Sequence, residues 1–185
     1  MVSPVHQAKR PVTILAGPYG HPVHPLLVTL PIGAWVTSLV FDIASHVVHQ
    51  PGFLTQGSQW LIAVGVIGAV AAACAGFLDL LTLTAETPAF RTAVLHMSLM
   101  LTATIGYVAG FAWRLGSYHD SAPVPAGPLA LSVLSLAVLS AGGYLGGKLA
   151  YRYGVRVADE GTQAEGHVTV TAQQAARVSG HRRQA

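Results

Sequence analysis

Four stretches of this chain are each long and apolar enough to cross a hydrocarbon layer about 30 Å thick, which takes roughly 20 residues of α-helix. They run over Pro25–Val48, Trp60–Leu83, Phe90–Trp113 and Leu129–Arg152. In lipid every backbone N–H and C=O must be paired inside the protein, so an isolated apolar run of this length has to be helical. Composition agrees: mean hydropathy is +0.52 and only 9% of the 185 residues are charged, too few to cover a water-soluble body of this size. The fold class this implies is all-α, a four-helix transmembrane bundle of up-down topology.

Turn and start signals separate the spans. Pro51-Gly52 follows the first, Thr87-Pro88 supplies a cap and a first-turn proline before the third, and Pro123, Pro125 and Gly127-Pro128 precede the fourth. The chain thus divides into an N-terminal segment over 1–20, a membrane domain over 21–156 and a flexible polar tail over 157–185. Residues 1–20 contain Lys9 and Arg10 but no apolar run of the kind a cleavable signal peptide needs. Nine of the ten Lys and Arg residues fall on the side shared by the N-terminus, the second loop and the tail; only Arg114 falls on the other. Cytoplasmic loops collect Lys and Arg, so the expected location is the cell's inner (plasma) membrane with both termini cytoplasmic. These cations are scattered and form no aromatic-interleaved patch, which argues against a nucleic-acid partner.

Small residues recur at helical spacing. Gly65, Gly68, Ala72, Gly76 and Asp79 form one stripe of the second span, and His96, Ala103, Gly106 and Gly110 one of the third. The fourth carries Gly142, Gly143, Gly146 and Gly147, two overlapping GxxxG pairs that serve either internal packing or a homodimer contact. Pro31 removes a backbone donor and frees the carbonyl of Leu27, which predicts a kink. No internal repeat is evident. Trp60 and Trp113 suit an outer aromatic belt, Trp35 a core or interface position, and Cys74, the single cysteine, a small buried one.

Ionisable groups at membrane depth are costly and face a partner or a cavity, so they are the functional clues. His24 begins the first span, Asp79 ends the second and His96 lies near the start of the third, at depths differing by less than about 10 Å. Three chemistries fit: axial ligation of haem b by His24 and His96 with Asp79 accepting from a ligand imidazole, a structural hydrogen-bonded network, or another metal or quinone. His21 and His24, three apart, also suit zinc or copper. Asp42 lies eighteen residues beyond His24, about 27 Å along a helix, and is expected at the outer rim paired with His46. No nucleophile–base arrangement, phosphate loop or HExxH motif is present in the sequence, so hydrolase and kinase chemistry have no footing.

The segment GHPVHPLLVTLPIGAWVTSLVFDI from Gly20 to Ile43, GFLDLL from Gly76, LHMSLM from Leu95 and GGYLGGKLAYRYGV from Gly142 occur in an order that resembles the membrane family called domain of unknown function 2231. The resemblance covers about residues 15–157. It implies a four-helix integral membrane protein, and relatives joined to Rieske-type iron–sulfur domains imply a redox setting. In the family the last motif often reads YRHGV; here Tyr153 stands in the histidine's place, so no ligand role carries over to that position.

Two functions therefore compete. One is a b-type haem electron-transfer protein or redox-complex subunit, with a redox partner; the other is a non-enzymatic membrane scaffold or accessory subunit held together by a His/Asp network. Small-solute transport needs two alternating halves, for which four helices without a repeat are poor material.

Overall fold

The computed structural model describes residues 3–118 and 120–168, and these are all-helical. Seven α-helices follow one another among them: α1 (Pro4–Lys9), α2 (His24–Leu27), α3 (Thr29–Ala44), α4 (Gly52–Leu80), α5 (Pro88–Arg114), α6 (Ala126–Tyr151) and α7 (Glu160–Glu165). Four helical stretches are long and apolar enough to cross a membrane: His24–Ala44, Gly52–Leu80, Pro88–Ser117 and Ala126–Tyr151.

The first span is interrupted at Val28, three residues before Pro31, whose missing donor leaves Leu27 without the usual i+4 partner. It ends at Ala44 rather than Val48, where the Ser45 hydroxyl turns back to the Asp42 carbonyl and accepts from the Val124 N–H. The second span begins at Gly52, eight residues before the apolar run. Its first two turns carry Thr55, Ser58 and Gln59 inward, so hydropathy hides a helix whose polar side chains are the buried ones. Thr87 caps α5 by accepting from the Phe90 N–H, with Pro88 at the first helical position.

Packing is closest between α3 and α4 and between α5 and α6, with α4 against α5 and α3 against α6 closing the set. Trp35, Ile62, Ala103, Tyr107 and Leu139 form the central core. Large apolar side chains such as Ile67, Ile105 and Leu134 point outward from the middle of the spans, as a lipid-facing surface requires. Cys74 is also exposed, not buried. On α6 the inward glycines are Gly142, against Met100 and Leu99, and Gly146, against His96. A Cβ on Gly143 would meet nothing within 4 Å, so that half of the glycine run faces outward.

The N-terminal segment is bonded to the stretch between α6 and α7. The Arg156 N–H donates to the Ala8 carbonyl, its guanidinium reaches Ala16 and Gly17, Lys9 Nζ donates to the Ala158 carbonyl, and Tyr19 donates to Asp159. Ala8, Leu83 and Ala93 form a second small core at this end. Residues 169–185 of the expected tail lie outside the described residues.

Candidate functional site

His24 and His96 meet. Their ring centroids are 6.3 Å apart, with the ring planes at 88°. His24 opens the first span next to Pro25, a good first-turn residue, and leans onto α4, where its Nδ1 lies 2.8 Å from the Ala72 carbonyl oxygen. His96, two turns into α5, leans in the same way onto α6, its Nδ1 2.8 Å from the Gly142 carbonyl. A carbonyl only accepts, so each Nδ1 carries the proton and each Nε2 presents a lone pair. Neither Nε2 has a hydrogen-bond partner among the described residues.

The cradle under each ring is the same. Four residues after the accepting carbonyl comes a glycine, Gly76 below His24 and Gly146 below His96. A Cβ there would stand 3.0 Å from the His24 ring and 3.1 Å from the His96 ring. The carbonyl of residue i and the Cα of i+4 share a helix face, so one turn of α4 and one of α6 each offer an acceptor and a gap.

This likeness extends along the spans. Trp35 lies eleven residues after His24 and Tyr107 eleven after His96; their rings stack with centroids 4.1 Å apart and planes 11° from parallel. Trp35 Nε1 donates to the Ile62 carbonyl and the Tyr107 hydroxyl to the Ser132 carbonyl. Asp42 and Arg114, eighteen residues on in each case, form an ion pair in which Nη1 donates to Oδ1 and Nη2 to Oδ2, each at 2.7 Å. Ile62 and Ser132, Ala72 and Gly142, and Gly76 and Gly146 are each seventy residues apart. Three matched pairs, His24 with His96, Trp35 with Tyr107 and Asp42 with Arg114, thus touch one another, the contact pattern of a two-fold relation. The sequence carries no repeat that marks this spacing, since most of the matched residues differ in type.

The expectation for Asp42 is corrected. It is not a rim residue paired with His46, which is exposed, but fully buried. Ser58 donates to Asp42, Arg114 also reaches the Ser58 and Ser132 hydroxyls, and the guanidinium touches the Pro128 carbonyl. Arg114 is 3% exposed, so it is a buried partner and not a loop cation.

Asp79 bonds neither histidine. Its carboxylate sits 2.8 Å from Arg156 Nε, in a pair that is 12% exposed on the Asp side and 3% on the Arg side. Arg156 has a left-handed backbone, φ 61°, disfavoured for a side chain of this size; its hydrogen bonds to Ala16, Gly17 and Ala8 and its ion pair with Asp79 hold it there. His21 is exposed, and no ring contact or hydrogen bond joins it to His24 or His96 among the described residues. Among the described residues no three His, Cys, Asp or Glu side chains converge on a common metal position.

A family model described as "Predicted membrane protein (DUF2231)" matches residues 20–159, and all of the site residues named above except the N-terminal contacts fall inside that range. The chain belongs to the DUF2231 family. No curated protein and no solved structure matches this chain. Within the DUF2231 domain the HPxHP motif at the start of the match supplies His24, and the GFLDLL segment supplies both Gly76 and Asp79.

Proposed function

We propose that this DUF2231 protein is a b-type haem electron-transfer protein of the plasma membrane, with His24 and His96 as axial ligands. One observation carries the reading: two imidazoles on different helices lie with centroids 6.3 Å apart and planes perpendicular, each anchored through Nδ1 and each with Nε2 unspent. Were haem bound, His24 and His96 would be the residues to hold it, each through its free Nε2. An Nδ1–H on a backbone carbonyl is also the usual way a protein fixes the tautomer and direction of a ligating histidine. Haem would supply reversible one-electron exchange. The chain's own part is to orient both rings, through the carbonyls of Ala72 and Gly142, and to clear space beside them with Gly76 and Gly146. Asp79 belongs to this reading only through its place in the turn beneath Gly76, where Arg156 compensates its charge.

The same reading has the four spans crossing in up-down order as a bundle, with both termini cytoplasmic and a redox partner meeting the cytoplasmic end, where the histidine pair lies. Two facts support the orientation. Arg114, the one cation outside the cation-rich side, is neutralised by Asp42, and the segments before the first span and after the fourth are bonded to each other. The test is an optical spectrum of the full chain purified after haem-replete expression. A Soret band with low-spin reduced bands is expected, and His24→Ala and His96→Ala should each abolish it. A colourless, folded protein would overturn the haem reading. That result would favour the scaffold, because the His24–Ala72 and His96–Gly142 bonds also tie neighbouring helices.

A further inference from the structure

The outward face of α6 carries a feature that the histidine pair does not use. Tyr144, Gly147, Lys148 and Tyr151 fall at positions i, i+3, i+4 and i+7, one stripe of a helix, and with Arg152 they line a groove of about 440 Å³. Both tyrosines stand out from the protein, 76% and 93% exposed. Neither Lys148 nor Arg152 has a carboxylate within ion-pair distance among the described residues; Lys148 Nζ lies 5.6 Å from the Tyr153 ring centroid, a contact that does not cancel its charge. Gly147 leaves the floor of the groove bare, and the open space beside Gly143 continues it one turn deeper into the span.

We infer that this groove binds one anionic phospholipid, its phosphate between Lys148 and Arg152. The stripe from Tyr144 to Tyr151 rises about 10 Å, enough to cross from the polar headgroup layer, about 5–7 Å thick, into the first methylenes of the chains. Cations meet the phosphate at one end, tyrosine rings with terminal hydroxyls flank the glycerol region, and a glycine floor admits an acyl chain at the other. The charge complementarity chooses the occupant. A second copy of this chain would bring the same two cations against themselves, and a zwitterionic lipid would bring its own cation near Lys148. The groove lies at the cation-rich end of the spans, which in the orientation proposed above faces the leaflet where anionic lipids concentrate.

The test is native mass spectrometry of the full chain in detergent, titrated with phosphatidylglycerol or phosphatidylcholine of the same chain length. Phosphatidylglycerol should be retained preferentially. Lys148→Gln and Arg152→Gln should each weaken its retention about fivefold, Lys148→Arg should restore it, and Gly147→Leu should weaken it with the charge untouched. Unchanged helicity by circular dichroism keeps these comparisons valid, and both cations are peripheral enough to expect it. Equal retention of the two lipids, or undiminished phosphatidylglycerol binding by the Lys148→Gln/Arg152→Gln double variant, would refute the proposal. So would dimerisation through Tyr144→Cys cross-links that phosphatidylglycerol fails to compete away. The haem spectrum is independent of every one of these outcomes.

Discussion

Asp42 and Arg114 hold each other through two parallel 2.7 Å contacts, one residue fully buried and the other nearly so. They occupy equivalent positions of the two halves, eighteen residues beyond His24 and His96. Where matched residues touch across a two-fold relation, identical charges would repel. The two halves therefore carry opposite ones. Breaking such a pair from one side strands a charge in a medium that solvates it poorly, at a cost of about 3–5 kcal/mol, whereas replacing both partners removes the desolvation penalty as well. Asp42→Leu and Arg114→Leu should each lower the thermal unfolding midpoint in detergent sharply, and the double variant should recover much of the loss. Additive losses in the double-mutant cycle would mean that the pair is not coupled.

The glycines of α6 make a separate forecast. Gly142 packs against Met100 and Leu99, and Gly143 opens onto empty space. Gly142→Leu overfills a closed contact and should cost about 1–3 kcal/mol, while Gly143→Leu should cost almost nothing. Equal losses on a detergent unfolding curve would contradict the orientation of the helix. Gly65→Leu should behave like Gly142→Leu, since its Cβ would enter the rigid Trp35 ring.

The spans are legible in the sequence because hydropathy and proline punctuation report them directly. The start of α4 is not, because Thr55, Ser58 and Gln59 bury their polar groups and so break the apolar run that marks the rest of the helix. His24 and His96 can be singled out as ionisable groups at one depth. Their partners cannot, because a backbone carbonyl leaves no residue type to recognise. The two-fold relation escapes for a different reason: its contact residues are complementary rather than alike, Trp35 with Tyr107 and Asp42 with Arg114, so a search for self-similarity passes over them. Sequence alone pairs Asp79 with a histidine because Arg156 lies beyond the last span. Only the fold brings that arginine back beneath α4.

The Asp79–Arg156 pair leads to a prediction that separates it from the histidines. Asp79→Asn removes the charge facing Arg156 and should release the N-terminal segment, seen as faster hydrogen exchange at Ala8, Ala16 and Arg156 and a lower unfolding midpoint in detergent. Any haem spectrum should keep its intensity, since neither imidazole bonds to Asp79. Loss of the Soret band in Asp79→Asn, with the fold intact, would place the carboxylate in the ligand environment after all.

The last prediction concerns acid. Asp159 caps α7, and its carboxylate is held well below the ordinary value of 3.8, at about 2, first by the Thr162 N–H and then by the Tyr19 hydroxyl. Folding lowers this pKa, so the folded state binds the proton less readily than the unfolded one. The carboxylate's contribution to docking is therefore complete above about pH 4 and drains away as the pH falls towards about 2. The group is solvent-exposed, so the effect should be local rather than global. Proteolysis or hydrogen exchange followed around Tyr19 and Thr162 should accelerate across that window in the parent protein, while Asp159→Asn, which keeps a capping oxygen but cannot titrate, should show a flat response. A parent protein equally flat between pH 5 and pH 2 would show that Tyr19 and Asp159 do not hold the two ends of the chain together in solution.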